Sequence, residues 1–187
     1  MPDSPQTPPP TGRKKKEGLI IVHTGNGKGK TTAALGLAFR AVGQNMKVLI
    51  VQFIKGKWKY GEMVAAKKLG NNPEIYAMGE GFTWDTQNRE RDMQKAREAF
   101  DFGIRKIREE NYDMLIFDEI NYVTSYGYLS VDLVIEFLKN KPKKLHVVLT
   151  GRDADPKLIE IADLVTEMKE IKHPYKKGIK AQKGIEF

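Results

Sequence analysis

The residues best suited to chemistry form a short glycine-rich run between an apolar stretch and a predicted helix. Its glycines let successive backbone amides converge on phosphate oxygens, because no Cβ atom stands in the way. The helix N-terminus adds unpaired N–H groups and a partial positive charge. Lys30 is expected to bridge phosphate oxygens, and Thr31 to offer its hydroxyl to Mg²⁺. We therefore predict that ATP or a close relative binds to Gly25, Asn26, Gly27, Lys28, Gly29, Lys30, Thr31 and Thr32.

One position departs from the general phosphate-loop pattern, which places a glycine where this chain has Thr24. The alternative interpretation is a glycine-rich turn without a ligand. The apolar strand before the run and its Gly-Lys-Thr ending favour the phosphate loop.

The second candidate group is the acidic pair Asp118-Glu119, which follows the apolar run 114–117. A metal ion beside a phosphate loop needs a carboxylate, either directly or through water. Strands often end in charged residues, so the pair alone indicates little. Together with the loop about 90 residues upstream it predicts a metal site built from Thr31, Glu119 and Asp118. No carboxylate is singled out as a base, so the loop leaves the reaction open.

Strands and helices alternate along the chain, which predicts parallel pairing and a ligand site at the carboxyl ends of the strands. The predicted fold class is α/β, with a single P-loop domain, a mainly parallel sheet of about six strands and helices on both faces. The predicted strands are 19–24, 48–53, 74–78, 114–117, 146–150 and 164–168. The predicted helices are 30–44, 62–69, 89–110, 130–139 and one that starts at Asp155-Pro156.

Individual residues of these elements carry further expectations. The buried face of the first helix should hold Ala34, Leu37, Ala38 and Ala41, and Ser130 should cap a later helix. His23 and His146 lie in predicted buried strands and are expected to be satisfied core groups. No histidine is assigned as a ligand.

Composition is that of a globular chain of 187 residues, with 40% hydrophobic residues and no cysteine, which excludes disulfides and thiolate chemistry. No apolar stretch reaches membrane-spanning length, so we expect a cytoplasmic protein without a membrane partner. Residues 1–17 hold five of the nine prolines and a basic run at 13–16, which predicts a disordered arm before a domain at 18–187. The basic run is either solvated or closes over a bound anion.

The net charge of +8 is concentrated at the ends of the chain. Residues 1–17 carry +2 and residues 172–187 carry +4, which leaves +2 for the folded part. A nucleic-acid-binding domain usually spreads a basic excess over one folded face. The charge therefore favours a small anionic ligand over nucleic acid.

Six segments together resemble one known family, the ATP:corrinoid adenosyltransferases that make adenosylcobalamin, in the branch with a RecA-like P-loop fold. The resemblance covers about residues 14–187, and the family shares the Thr24 departure. The phosphate loop is unspecific by itself, whereas the segments at 81–84 and 178–187 are distinctive. The segments are GNGKGKTT (25–32), VQFIKG (51–56), GFTW (81–84), FDE (117–119), LTGR (149–152) and GIKAQKGIEF (178–187).

The resemblance implies an unusual use of ATP. A reduced Co(I) corrinoid attacks C5′ of the ribose, and the whole triphosphate leaves. Co(I) is a strong nucleophile and needs no general base, so the protein positions the substrates and stabilises an anionic leaving group. Lys30 is expected to be catalytic in this sense. Mg²⁺, with Mn²⁺ as an alternative, would be held with Glu119 as the first carboxylate and Asp118 as the second.

The resemblance also assigns roles in the reduction of Co(II) to Co(I). Phe82 and Trp84 match two aromatics that displace the lower axial ligand, and they are the remaining predicted catalytic residues. The alternative is that both are core or lid residues. Trp58 and Tyr60 would line the corrinoid cleft or a dimer seam. Family membership further implies an electron-donating reductase, such as a flavoprotein, and a homodimer.

Arg152 follows the fifth predicted strand at its carboxyl end, where a guanidinium reaches phosphate or ribose. The alternative is an ion pair with Asp153 or Asp155. Three rival functions remain at this level: a kinase or ATPase that cleaves at phosphorus, a RecA-like nucleic-acid-binding module, and a non-catalytic nucleotide switch.

Overall fold

The computed structural model describes residues 17–56, 60–81 and 88–186. They form one six-stranded sheet in the order β3-β2-β4-β5-β1-β6, and every strand pairing is parallel. The predicted α/β class with helices on both faces is confirmed. The strands are β1 (Ile20–Thr24), β2 (Val48–Gln52), β3 (Glu74–Ala77), β4 (Met114–Asp118), β5 (His146–Thr150) and β6 (Leu164–Glu167).

Six α-helices and one 3-10 turn are found in these ranges. Helix α1 packs on one face of the sheet, and α3 to α6 contribute to the larger core on the other. The helices are α1 (Lys30–Val42), α2 (Gly61–Lys68), α3 (Arg89–Glu109), α4 (Ile120–Ser125), α5 (Val131–Asn140) and α6 (Pro156–Ile161), and the 3-10 turn is Pro174–Lys177.

The central strands are buried on both faces because both are covered by helices, which is why they read as continuous apolar runs. The five residues of β2 and of β4 are all buried. Phe117 of β4 lies in the larger core, where its ring contacts Phe53 and Phe100 at centroid distances of 5.5 and 5.6 Å. This core fixes the strands whose ends form the site.

Several boundaries differ from the sequence prediction. Helix α1 ends at Val42 instead of continuing to Gln44, because Gly43 is its C-cap. Ala34, Ala38 and Ala41 are buried as expected, whereas Leu37 is only half-buried at the edge of the smaller core. Ser130 occupies the N-cap of α5 without a capping hydrogen bond from its side chain. Asp155 does cap α6, since its side chain accepts a hydrogen bond from the Lys157 amide.

Candidate functional site

The phosphate loop lies between β1 and α1 at the carboxyl edge of the sheet, as predicted. Gly29, the residue before α1, is the N-cap of this helix and has a φ of 113°, a left-handed conformation that suits glycine. No side chain caps this helix end. The first amides of α1 therefore have no side-chain acceptor at the cap position, and a helix N-terminus of this kind favours an anion.

Lys30 is buried, with 8% of its surface exposed, and its ammonium group lies inside the loop. The Nζ atom donates hydrogen bonds to the carbonyl oxygens of Gly25 and Gly27, each at 2.7 Å. Burial lowers the pKa of Lys30, and the nearby cations Arg152 and Lys28 act in the same direction, while the Glu119 carboxylate opposes them. The lysine is held by weak carbonyl acceptors that phosphate oxygens can replace.

The loop rests on the segment that follows β6. The Gly27 amide donates to the Met168 carbonyl oxygen at 2.6 Å. A Cβ atom on Gly25 or Gly27 would lie within 2.6 or 2.7 Å of that same oxygen, so both positions need glycine. Thr24 has a structural role as well, because its hydroxyl accepts a hydrogen bond from the Ala154 amide at 3.1 Å. This bond ties the phosphate loop to the loop that carries Arg152.

Asp118 lies beside the phosphate loop at the end of β4, where it is 1% exposed. Its Oδ1 atom accepts hydrogen bonds from the hydroxyls of Thr31 at 2.8 Å and Thr150 at 2.7 Å. Its Oδ2 atom accepts one from the amide of Gln52 at 3.1 Å. The structure thus brings together Thr31 and Asp118, two of the three predicted metal ligands.

Glu119 occupies the next position and has a φ of 67°, which is unusual for a residue with a side chain. Its amide donates to the Thr150 hydroxyl at 2.9 Å. Among the described residues its carboxylate accepts no hydrogen bond. Burial raises the pKa of Glu119 to about 7, and the neighbouring Asp118 adds to this effect while Lys30 counteracts it. A cation in front of this group would restore its ionised form.

These groups fit a hard divalent cation in the manner of a nucleotide site. Mg²⁺ usually takes one or two carboxylates and completes its shell with phosphate oxygens and water. Thr31, Asp118 and Glu119 offer a hydroxyl and two carboxylates, which matches that donor set. Within the described ranges, no group of three or more His, Asp or Glu side chains is arranged to hold a metal by itself.

The remaining predicted residues fall in different places. Arg152 is exposed and close enough to influence Lys30 and Glu119. Within the part of the chain that the structure describes, Arg152 forms no ion pair. The alternative prediction, an ion pair with Asp153 or Asp155, is therefore wrong. Lys28 is half-exposed and forms an ion pair with Glu186 of the C-terminal tail. Asn26 in the loop and Thr32 in the first turn of α1 are exposed.

Other predictions cannot be placed. Phe82, Trp84 and Trp58 and the basic run 13–16 lie outside the described residues. Tyr60 is described: it is half-buried at the N-cap of α2, and the Lys55 ammonium lies 4.7 Å from its ring centroid.

Sequence reasoning missed two residues that contact the acidic pair, Gln52 and Thr150, both fully buried. The available signal was a polar residue at the carboxyl end of an otherwise apolar strand. Gln52 also connects Asp118 to α2, because its side-chain amide donates a hydrogen bond to Glu62 at 3.2 Å. The expectation for His23 was wrong, since both ring nitrogens are buried without a partner among the described residues. His146 is satisfied as expected, and its Nδ1 accepts from the Leu19 amide at 3.1 Å.

The parallel sheet and the phosphate loop at the end of β1 define a P-loop protein of the α/β class. Residues 16–187 match the family described as ATP:corrinoid adenosyltransferase BtuR/CobO/CobP. The chain belongs to this family, and it is a corrinoid adenosyltransferase, an enzyme of cobalamin synthesis that transfers an alkyl group other than methyl. The resemblance noted from the sequence is thereby confirmed.

Curated relatives support the assignment. A corrinoid adenosyltransferase from Sinorhizobium is 51% identical over 92% of this chain and 81% of the relative. One from Escherichia coli K12 is 45% identical over 92% of this chain and 87% of the relative. A third, from Pseudomonas aeruginosa, is 44% identical over 93% and 86% of the two chains. No described helix is both long and apolar enough to cross a membrane.

Proposed function

We propose that this adenosyltransferase binds ATP on residues 25–32, with Mg²⁺ or Mn²⁺ at Thr31, Glu119 and Asp118, and transfers the 5′-deoxyadenosyl group to a Co(I) corrinoid. The observation that carries the proposal is the buried Lys30 ammonium, held inside the loop by two carbonyl oxygens at 2.7 Å. The N–H donors of this ammonium group suit phosphate oxygens, which supports the proposal. A bound divalent cation would supply further positive charge beside the triphosphate.

The transfer of the adenosyl group needs no proton acceptor. The cobalt electron pair forms the Co–C5′ bond, the C5′–O bond breaks, and its electron pair stays on the triphosphate oxygen. The leaving group gains negative charge as it departs, so fixed donors that face it lower the barrier. We assign this task to Lys30, to the amides of the loop and α1, and to Arg152, whose exposed guanidinium can follow the phosphates or the ribose.

The finer parts of the proposal rest on the family resemblance alone. Phe82 and Trp84 would exclude the lower axial ligand from cobalt and so make Co(II) easier to reduce. An electron-donating reductase such as a flavoprotein, a homodimer and a cytoplasmic location are proposed on the same ground. The small charge excess of the folded part supports the absence of nucleic acid as a partner.

One observation favours a second candidate function. A carboxyl group with a pKa of about 7, such as Glu119, also suits a general base that activates water. Hydrolysis of ATP at phosphorus would then compete with adenosyl transfer. The two reactions release different products, since hydrolysis gives ADP or AMP and transfer gives inorganic triphosphate.

The deciding experiment is an anaerobic incubation with Co(I) corrinoid, ATP and Mg²⁺, followed by absorption spectroscopy and analysis of the phosphate products. We expect a light-sensitive Co–C bond and one triphosphate for each adenosyl group transferred. Omitting the corrinoid should stop ATP consumption. Steady release of ADP without corrinoid would instead establish the hydrolase, and the proposed transfer would be rejected if no Co–C bond formed.

A further inference from the structure

The hydroxyl of Thr150 contacts both members of the acidic pair, through the carboxylate of Asp118 and the backbone amide of Glu119. This hydroxyl donates to Asp118 Oδ1 at 2.7 Å and accepts from the Glu119 amide at 2.9 Å. Thr150 is fully buried, and among the described residues its hydroxyl makes no hydrogen bond to the phosphate loop. Its contacts therefore concern the acidic pair and not the loop itself.

The contact with the Glu119 amide matters because the backbone at this residue is strained. A non-glycine residue at a φ of 67° is in a disfavoured conformation, and neighbouring structure must hold it there. The residue after Thr150 packs closely on the same turn. A Cβ atom on Gly151 would lie 2.9 Å from the Tyr122 amide nitrogen. The end of β5 thus supports the backbone at Glu119 through this hydrogen bond and this close packing.

The second contact of the Thr150 hydroxyl is with the carboxylate of Asp118. Thr150 and Thr31 both donate to Oδ1, while Gln52 holds Oδ2 from the opposite strand. The carboxylate plane is therefore set from β5 and β2 before any ligand arrives. If the Thr31 hydroxyl binds a cation instead of Asp118, the Thr150 hydroxyl still donates to one lone pair of Asp118 Oδ1 and leaves the other lone pair free.

We propose that Thr150 is a positioning residue for the metal site: one hydroxyl holds Asp118 and Glu119 in the arrangement that receives the nucleotide-bound divalent cation. The inference rests on the proposed metal site. Outer-shell residues of this kind typically change metal affinity by about 10–100-fold when they are lost.

The test compares the full-length protein with Thr150→Val, which keeps the shape and removes the hydroxyl, and with Thr150→Ser, which keeps the hydroxyl. Thr166→Val is the matched control, because Thr166 is a half-buried threonine on β6 outside the site. Binding of Mn²⁺ in the presence of ATP is measured from the electron paramagnetic resonance signal of the free ion. ATP binding without metal and melting curves are measured on the same preparations.

We expect Thr150→Val to raise the Mn²⁺ dissociation constant at least about tenfold, while Thr150→Ser and Thr166→Val remain within about threefold of the unmodified protein. ATP binding without metal should be unchanged in all three. The Mg²⁺ concentration for half-maximal transfer should rise in Thr150→Val more than kcat falls. If Thr150→Val does not fold, Thr150→Ser and Thr150→Ala provide the same comparison, since they differ only in the hydroxyl.

Three results would overturn the inference. Unchanged Mn²⁺ affinity in Thr150→Val rejects the role of the hydroxyl, and the metal site itself then stands if Glu119→Gln still loses affinity. Equal losses in the Val and Ser variants assign the effect to packing. An unmodified protein that binds no Mn²⁺ with ATP rejects the proposed metal site and the positioning role together.

Discussion

Replacing Lys30 by alanine removes the cation on which the proposed transfer depends most. The ammonium group is 8% exposed and lies 2.7 Å from each of two loop oxygens, so it is preorganised in a site from which most water is excluded. Loss of one preorganised donor costs about 2.7–4 kcal/mol in the transition state. Since each 1.36 kcal/mol is a factor of ten, we expect the transfer rate to fall by about 10²–10³.

Lys28 gives the matched comparison, because it belongs to the same loop but its side chain is 50% exposed and already paired with Glu186. Exposed ion pairs contribute about 0–1 kcal/mol, so Lys28→Ala should lower the rate less than about fivefold. Both variants are assayed anaerobically with chemically prepared Co(I) corrinoid, ATP and Mg²⁺, and their melting curves are recorded. A folded Lys30→Ala protein that retains more than a tenth of the rate, or equal losses in the two variants, would refute the argument.

Three further predictions concern other groups of the molecule. Glu119→Gln should raise the Mg²⁺ concentration that transfer requires more than Asp118→Asn does. The reason is that the Glu119 carboxylate has no hydrogen-bond donor among the described residues, whereas the Asp118 carboxylate has several. Titration of the rate with Mg²⁺ tests this, and the opposite order would make Asp118 the main ligand. Trp84→Ala should slow the reaction that starts from Co(II) and a reductant at least about tenfold more than the reaction with preformed Co(I). A factor of ten corresponds to a change of ~59 mV in a one-electron reduction potential. Parallel losses in both reactions with a lower Tm would indicate a core residue. Hydrogen bonds from Lys106 and Lys47 lower the pKa of Glu110 to about 2, so its stabilisation is present above about pH 4.5 and is lost as the pH falls through 2. Glu110→Gln should therefore lower Tm at pH 7 by a few degrees at most and have little effect near pH 2, while Glu109→Gln, on an exposed neighbour, changes neither; a pH-independent difference would contradict the assignment.

The strands and the phosphate loop could be predicted because their signals are local. A run such as 48–53 is apolar at every position but one, which indicates a strand buried on both faces. The loop carries its chemistry in consecutive residues, and helix α1 begins at Lys30 as expected. Helix α4 was not predicted, because its six residues include no capping side chain and it starts from a left-handed Glu119.

The contacts within the site depend on strand register, which the sequence does not display. Gln52 lies opposite Asp118 only because β2 and β4 pair in that register. Thr150 and Asp118 are 32 positions apart along the chain and meet through the pairing of β4 with β5. His23 was misjudged for a related reason: its position in a buried strand was clear, but the partners of its ring depend on neighbouring strands.

The strand order has a consequence for how the protein folds during synthesis. Among the described strands, β1 is made first, yet it pairs only with β5 and β6, which are made last. The phosphate loop also needs the Met168 carbonyl oxygen as its support. Pairings between strands that are far apart in sequence form slowly, and the earlier strand stays unpaired until its partners have been made. A nascent chain that ends before residue 168 therefore lacks this support for the phosphate loop, and we expect nucleotide affinity to appear only after β6 and residue 168 have been made.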